Sequence, residues 1–253
     1  MHQTGAIQGF IFDLDGTLVD TEMLKAQAYL ATARELIGPQ VHQDKVFAIY
    51  SSLVGNTDED VARELVDQLG LSDALSIEMS KLGTSEAWKA LHTMRMRRYM
   101  HTTGTAASIV SAACSHNIAL AQSAKSDGMI VSVATSSSTN EAIRILKALG
   151  IVDIFQTVIG RDQIKRPKPD PEIYLYAAES IGIPPNLALA VEDSPAGVIA
   201  AKAAGMPWIA VATQFTAGRL REMPSEDLEW VVFDLQDLIN RVAKRIAGTQ
   251  SRP

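Results

Sequence analysis

Residues 7–17 read IQGFIFDLDGT and decide the fold. A mostly apolar run ends directly in Asp13-Leu14-Asp15-Gly16-Thr17, which is typical of a strand buried on both faces. Residues i and i+2 of an extended chain point to the same side, so Asp13 and Asp15 direct two carboxylates at one place. Ligands bind at the carboxyl ends of strands in open α/β sheets. The stretch therefore predicts a parallel strand that ends in a site.

Further apolar runs of strand length follow along the chain. They lie at residues 129–134, 157–159, 187–191, 208–212 and 230–233. The segments between them begin with helix caps and end in glycine. The predicted caps and stops are Ser138 with Glu141 and Gly150, Asp170 with Pro171 and Gly182, and Ser194 with Pro195 and Gly205. Strands that alternate with capped helices predict an α/β fold, a doubly wound, Rossmann-like parallel sheet.

Residues 22–101 interrupt this alternation, because they contain no convincing strand. Apolar residues recur at helical spacing from Met23 to Ile37, a capping box of Thr57 and Asp60 begins a second helix, and a third begins near Ser85. We therefore predict an all-helical cap domain at 22–101, inserted into an α/β catalytic core formed by 1–21 and 102–253.

Composition excludes several classes of protein. The chain has 253 residues, 47% of them hydrophobic, and a net charge of −6, which argues against nucleic acid as a partner. Cys114 is the single cysteine, so no intrachain disulfide can form. No apolar run has the length of a membrane helix, and the N-terminus has no signal-peptide pattern. We expect a cytoplasmic protein, a monomer or weak homo-oligomer, with no membrane partner.

The acidic pair predicts a metal. Two adjacent carboxylates repel each other, and one stays protonated unless a cation lies between them. A hard divalent ion with oxygen ligands removes this conflict, and Mg²⁺ is the cofactor we expect. The alternative, a turn at Asp15-Gly16, leaves Asp13 as an uncompensated charge at the end of a buried strand.

Three more candidate groups each follow a predicted strand. Thr135, with the backbone of Ser136, can hold a phosphate oxygen, although strand-end hydroxyls are more often caps. Lys168 lies among three prolines that stiffen its loop, where a positioned cation or a solvated turn are both possible. Glu192 and Asp193 repeat the acidic pair, and Asp193 can complete a metal site. All of them meet at one sheet edge, and this set suits covalent catalysis by aspartate on a phosphoryl group.

The chain resembles the haloacid dehalogenase-like superfamily, in the branch with a helical cap after the first strand. The motif at 10–22, FIFDLDGTLVDTE, is similar to the branch's first motif almost residue for residue. The segments at 168–174, KPDPEIY, and 191–197, VEDSPAG, resemble its third and fourth motifs. Order and spacing match over nearly the whole chain, and the second motif, at Thr135, is the least specific.

The resemblance implies a Mg²⁺-dependent phosphatase acting on a small phosphorylated metabolite, such as a sugar phosphate or phosphoglycolate. Asp13 would form an aspartyl-phosphate, and Asp15 would protonate the leaving oxygen and then activate water. Asp13, the Asp15 backbone carbonyl and Asp193 would hold Mg²⁺, supported by Glu192. Thr135, Ser136 and Lys168 would bind the phosphoryl group.

Other functions remain open. A beta-phosphoglucomutase-like mutase is expected to carry Lys and Arg where this chain has Val54 and Asp58, and many relatives carry His in place of Lys25. A signalling receiver needs neither the acid Asp15 nor a helical insert, and a non-catalytic relative would have lost a motif residue. Arg95 lies on the apolar stripe of its helix, where it either binds a substrate anion or extends to water.

Overall fold

The chain folds into a six-stranded parallel sheet with helices and a separate helical insert. The structure, a computed structural model, describes residues 6–54, 58–103 and 105–250. Two compact units are present: a core unit of Met1–Asp20 with Ile109–Pro253, and a helical unit of Thr21–Ser108. The division falls seven residues later at its second boundary than the sequence predicted, so 102–108 group with the helices.

The strands of the core unit follow the predicted runs to within two residues. Their order in the sheet is β3-β2-β1-β4-β5-β6, and every pair is parallel. The chain therefore winds outward from β1 in one direction and then from β4 in the other, and this reversal places a crevice at their carboxyl ends. The strands are β1 (Gly9–Phe12), β2 (Ile130–Ala134), β3 (Thr157–Ile159), β4 (Ala188–Glu192), β5 (Trp208–Val211) and β6 (Val231–Val232).

The core lies on both faces of the sheet. Side chains of β1 alternate between the two, with Phe10 and Phe12 in one apolar cluster and Ile11 in the other. Helices cover both faces, which confirms the predicted doubly wound architecture. From the carboxyl side of the insert onward, the helices are α6 (Ala106–Ser111), α7 (Ser115–Ser126), α8 (Thr139–Ala148), α9 (Glu172–Ser180), α10 (Pro195–Ala203), α11 (Ala217–Arg221), α12 (Ser225–Leu228) and α13 (Leu238–Gln250).

Two of the three predicted caps form as expected. Ser138 accepts a hydrogen bond from the Glu141 amide at the start of α8, and Ser194 accepts one from the Gly197 amide at the start of α10. The third prediction was one residue early, since α9 begins at Glu172 with Pro171 before it. Its Asp170 carboxylate instead accepts from the Glu172 amide.

The helical unit contains five helices in its described residues, two more than the sequence predicted. The last helix of this unit packs against the first, the third and the fourth, and the first also contacts the second. The capping box predicted at Thr57 lies outside the described residues. The helices are α1 (Thr21–Ile37), α2 (Gln43–Leu53), α3 (Asp58–Leu69), α4 (Ser76–Leu82) and α5 (Ala87–Thr103).

Backbone hydrogen bonds within the core unit join the two segments that flank the helical insert. The Asp20 amide donates to Ala112 at 2.8 Å, and the Cys114 amide donates to Leu18 at 3.0 Å. Val19 and Ala113 form an antiparallel bridge between them. The outgoing and returning segments therefore lie side by side within the core unit. Among the described residues, no helix is long and apolar enough to cross a membrane.

Candidate active site

The acidic residues meet at the carboxyl edge of the sheet because their strands are neighbours. Phe12, the last residue of β1, lies beside Val133 of β2 and Val191 of β4. The next residue, Asp13, continues this pairing, and its amide donates to the Val191 carbonyl at 2.9 Å. Asp13, Thr135, Glu192 and Asp193 follow or end these three strands and are all buried. The structure thus brings four predicted site residues together at the place where the winding reverses.

Lys168 joins the residues of this edge. Its Nζ lies 2.6 Å from Asp13 Oδ1, 2.6 Å from Glu192 Oε1 and 3.1 Å from the Ala134 carbonyl oxygen. The side chain is buried, so the alternative of a solvated basic turn is wrong. Burial opposes the charge of the ammonium, but Asp13 and Glu192 outweigh it and raise the pKa of Lys168 well above its usual range. Lys168 is therefore a fixed cation against Asp13.

The Asp13 carboxyl is in a site that resists its ionisation. Burial raises its pKa to about 8; Lys168 opposes this rise, whereas the nearby charges of Glu192 and Asp15 add to it. Four acidic side chains, those of Asp13, Asp15, Glu192 and Asp193, lie at this edge, and the Lys168 ammonium contacts two of them, Asp13 and Glu192. A further cation at this edge would offset the excess negative charge and favour the ionised form of Asp13.

The carboxylates also have the chemistry of a divalent cation site. Oxygen atoms of Asp13, Glu192 and Asp193 lie within 4.8 Å of one another. The turn that follows Asp15 passes close to the Asp193 carboxylate. Gly16 in this turn has a left-handed φ of +81°, and a Cβ at this position would overlap that carboxylate. Oxygen ligands and a crowded negative charge suit Mg²⁺. The residues present therefore fit the cation that the sequence predicted.

Glu192 is held from several sides. Its Oε1 accepts from Lys168 and, at 2.5 Å, from the Tyr174 hydroxyl, while Oε2 accepts from the Ser194 hydroxyl at 3.2 Å. A Cβ at Gly197 would overlap its carboxylate, so α10 can pack here only with glycine. Tyr174 was not among the predicted site residues. The signal for it was its place on the first turn of α9, six residues after Lys168.

Asp15 lies among hydroxyl groups that follow β2. Its Oδ2 accepts a hydrogen bond from Ser137 Oγ at 2.7 Å and from Thr135 Oγ1 at 3.2 Å. Thr135 Oγ1 in turn accepts from the Ser137 amide at 3.0 Å. The predicted Ser136 has an exposed side chain, whereas Ser137, which the sequence analysis missed, faces the acid. The spacing of two residues from Thr135 was the available signal.

Arg95 lies in the helical unit and already has partners there. Its guanidinium is buried, donates to Asp58 Oδ1 at 2.6 Å, and lies over the rings of Tyr29 and Tyr99 at 4.9 and 6.0 Å. The expected extension to water is therefore wrong. Its assignment to substrate binding stays a prediction.

Lys25, on α1 of the same unit, pairs with Glu22 at 2.7 Å, and Glu22 also accepts from Tyr50 at 2.5 Å. The Lys25 ammonium is thus one member of a local polar network. At this position, where many relatives carry His, the lysine charge is therefore paired with a carboxylate.

Comparisons with known proteins identify the family of the chain. A model of the haloacid dehalogenase-like hydrolase family matches residues 10–211. The chain belongs to this family. The resemblance stated from the motifs is therefore confirmed. The matched residues run from β1 to the end of β5.

Curated relatives of this hydrolase include phosphatases. The phosphorylated carbohydrates phosphatase of Thermotoga maritima is 30% identical over 200 residues, which cover 79% of this chain and 82% of that one. The phosphoglycolate phosphatase of Shigella dysenteriae is 28% identical over 231 residues, 90% of each chain. Among solved structures, a beta-phosphoglucomutase of Clostridium difficile has a TM-score of 0.66 at 22% identity, covering 97% of this chain and 100% of that one. This last similarity supports the fold.

Proposed function

We propose that this haloacid dehalogenase-like hydrolase is a Mg²⁺-dependent phosphatase that hydrolyses a small phosphorylated metabolite, such as a sugar phosphate or a phosphoglycolate-like ester. The observation that carries the proposal is the contact of Lys168 with Asp13 beside the Asp193 carboxylate. A nucleophilic carboxylate, a fixed cation and a further anionic ligand meet there. Two curated relatives named as phosphatases of phosphorylated small molecules support the same class of substrate.

The proposed first step uses Asp13 as the nucleophile. One Asp13 carboxylate oxygen bonds to the substrate phosphorus while the bond from phosphorus to the leaving oxygen breaks, and the electron pair stays with that oxygen. Asp15 gives its proton to the leaving oxygen, so the product departs as an alcohol. Lys168 and Thr135 hold the phosphoryl oxygens, as donors directed at the charge that develops there.

The second step releases phosphate. Asp15, now a carboxylate, takes a proton from water as the water oxygen bonds to phosphorus, and the bond from Asp13 to phosphorus breaks. Asp13, the Asp15 backbone carbonyl and Asp193 would hold Mg²⁺, with Glu192 nearby. The cation supplies neutralisation of the phosphoryl and carboxylate charges when it is bound.

Release of inorganic phosphate from a panel of small phosphate esters tests this proposal. The assay is run with Mg²⁺, with a chelator, and with D13N. The control is D153N, since Asp153 is exposed and precedes the amino end of β3, whereas the site lies at the carboxyl ends of the strands. We expect metal-dependent release by the wild type and by D153N, and none by D13N. Absence of release on every ester would overturn the proposal, and isomerisation of a hexose phosphate by the wild type would replace it with the mutase alternative.

A further inference from the structure

The general acid of the proposed reaction depends on two hydroxyl donors for its orientation. Ser137 Oγ and Thr135 Oγ1 both donate to the same Asp15 oxygen, Oδ2, and the shorter contact, 2.7 Å, belongs to Ser137. An oxygen that accepts from two O–H groups is a poor place for a third proton. The proton that Asp15 gives to a leaving group is therefore carried by Oδ1, and the two hydroxyls determine where Oδ1 points.

The two donors are not equivalent once substrate binds. Thr135 holds a phosphoryl oxygen in the proposed function, and a hydroxyl has a single hydrogen to donate. When that hydrogen turns to the phosphoryl group, the shorter of the two contacts, from the Ser137 hydroxyl, still holds Oδ2. The amide of Ser137 also donates to Thr135 Oγ1, which ties the two side chains into one local structure.

We propose that Ser137 is the positioning residue for Asp15, so that its hydroxyl sets the efficiency of proton transfer to poor leaving groups. This inference rests on the proposed phosphatase function. Ser137 does not touch the reacting atoms in this scheme. Its loss removes the 2.7 Å contact that orients the Asp15 carboxyl, and proton transfer slows because the acid must lie within hydrogen-bond reach of the leaving oxygen.

A comparison of two leaving groups tests the inference. The first substrate is the alkyl phosphate that the wild type hydrolyses fastest in the panel, whose alkoxide needs a proton to leave. The second is p-nitrophenyl phosphate, whose phenolate leaves without one. S137A should lower kcat/KM on the alkyl ester about tenfold more than on the aryl ester, a part of the roughly 10²–10⁴-fold that general acid catalysis supplies. The ratio of the two kcat/KM values is the readout, because kcat also contains the second step, in which Asp15 activates water for both esters alike.

Matched variants separate positioning from a structural effect. S137T keeps a hydroxyl and should restore the wild-type ratio of the two kcat/KM values, whereas S137C, of similar size but a weaker donor, should resemble S137A. S126A, at an exposed serine on the last turn of α7, should leave both values unchanged. D15N, followed in its first turnover because its second step also lacks the base, provides the reference for complete loss of the acid, with the same preference for the aryl ester.

The possible failures are distinguishable. A wild type that releases no phosphate overturns the proposed function and this inference together. A wild type that is active, with D15N selective for the aryl ester but S137A showing the wild-type ratio, overturns the inference alone. Equal loss of kcat/KM on both esters in S137A also overturns it, because Ser137 would then act on the phosphoryl group itself.

Discussion

Lys168 contacts Asp13 at 2.6 Å although the two residues are 155 positions apart. The contact is buried, and Glu192 shares the same ammonium at an equal distance. Two carboxylates that would repel each other are thereby kept beside the end of β1. The ammonium has two effects: it opposes protonation of Asp13, and it holds the buried acids in the folded state.

Replacement of Lys168 should reduce both activity and stability. In K168M, two buried carboxylates lose their cation, and breaking a buried ion pair from one side costs about 3 kcal/mol or more. Urea unfolding without added metal measures this cost. K147M, at an exposed lysine of α8, is the control and should unfold like the wild type. A K168M protein as stable as the wild type would show that Lys168 does not stabilise this cluster.

Alanine substitution at two helical glycines should have opposite effects. Propensity alone favours alanine in a helix by up to about 1 kcal/mol. G218A, in α11, meets no atom within 4 Å and should gain from this preference. G197A, in α10, would overlap the Glu192 carboxylate, and overpacking costs about 1–3 kcal/mol.

We therefore expect G197A to lower the free energy of unfolding, displace Glu192 and reduce phosphate release. Chemical denaturation and the phosphate assay measure the two effects. A stabilised and fully active G197A would contradict the close packing of α10 on Glu192.

Mg²⁺ should raise the melting temperature of the wild type. A ligand that binds the folded state alone stabilises it by about 2.7 kcal/mol at a concentration 100 times its Kd. D193N should lose this shift, because it removes one charged oxygen ligand from the cluster with Asp13. D153N is the control and should keep it. An equal shift in D193N and the wild type would place the bound cation elsewhere, and this measurement does not depend on turnover.

Substrate binding by Arg95 can be tested with two variants that should change KM in opposite directions. R95M should raise KM severalfold if the guanidinium binds a substrate anion. D58N removes the competing carboxylate and should lower KM instead. Asp58 is 60% exposed whereas Arg95 is buried, so D58N removes the carboxylate partner of a buried guanidinium, and urea unfolding of D58N measures the cost.

The control for this pair is R97M, because Arg97 lies on the same helix and pairs with Glu78. Its KM should not change. If R95M and D58N change stability but leave KM unaltered, Arg95 is a structural residue of the helical unit.

Local signals explain which parts of the fold could be predicted. The strands and the helices after Ser138 and Ser194 were predictable because apolar runs and side-chain caps act over a few residues. The sequence patterns did not predict α2 and α4. Their N-cap residues, His42 and Leu75, make no side-chain hydrogen bond to the first turn of the helix. Without a cap, a short helix has little in its sequence that marks its first residue.

The site residues also divide into those that local signals predict and those that depend on packing. Asp13, Lys168 and Asp193 follow strands or stiff loops, so their convergence follows from the topology of a parallel sheet. Ser137 meets Asp15 across 122 residues, and which of three consecutive serines faces the acid depends on the turn after β2. Tyr174 reaches Glu192 through the packing of α9 on the sheet. Which of several similar neighbouring side chains contacts the site could therefore not be predicted from the sequence.

The bridge between Val19 and Ala113 has a consequence for the mechanics of the chain. The core unit makes its own hydrogen bonds on both sides of the insertion point, from Asp20 to Ala112 and from Cys114 to Leu18. These bonds fix the two ends of the intervening segment to each other, so the register of the sheet does not depend on the segment between them. The positions of the carboxylates at the strand ends are therefore a property of the core unit.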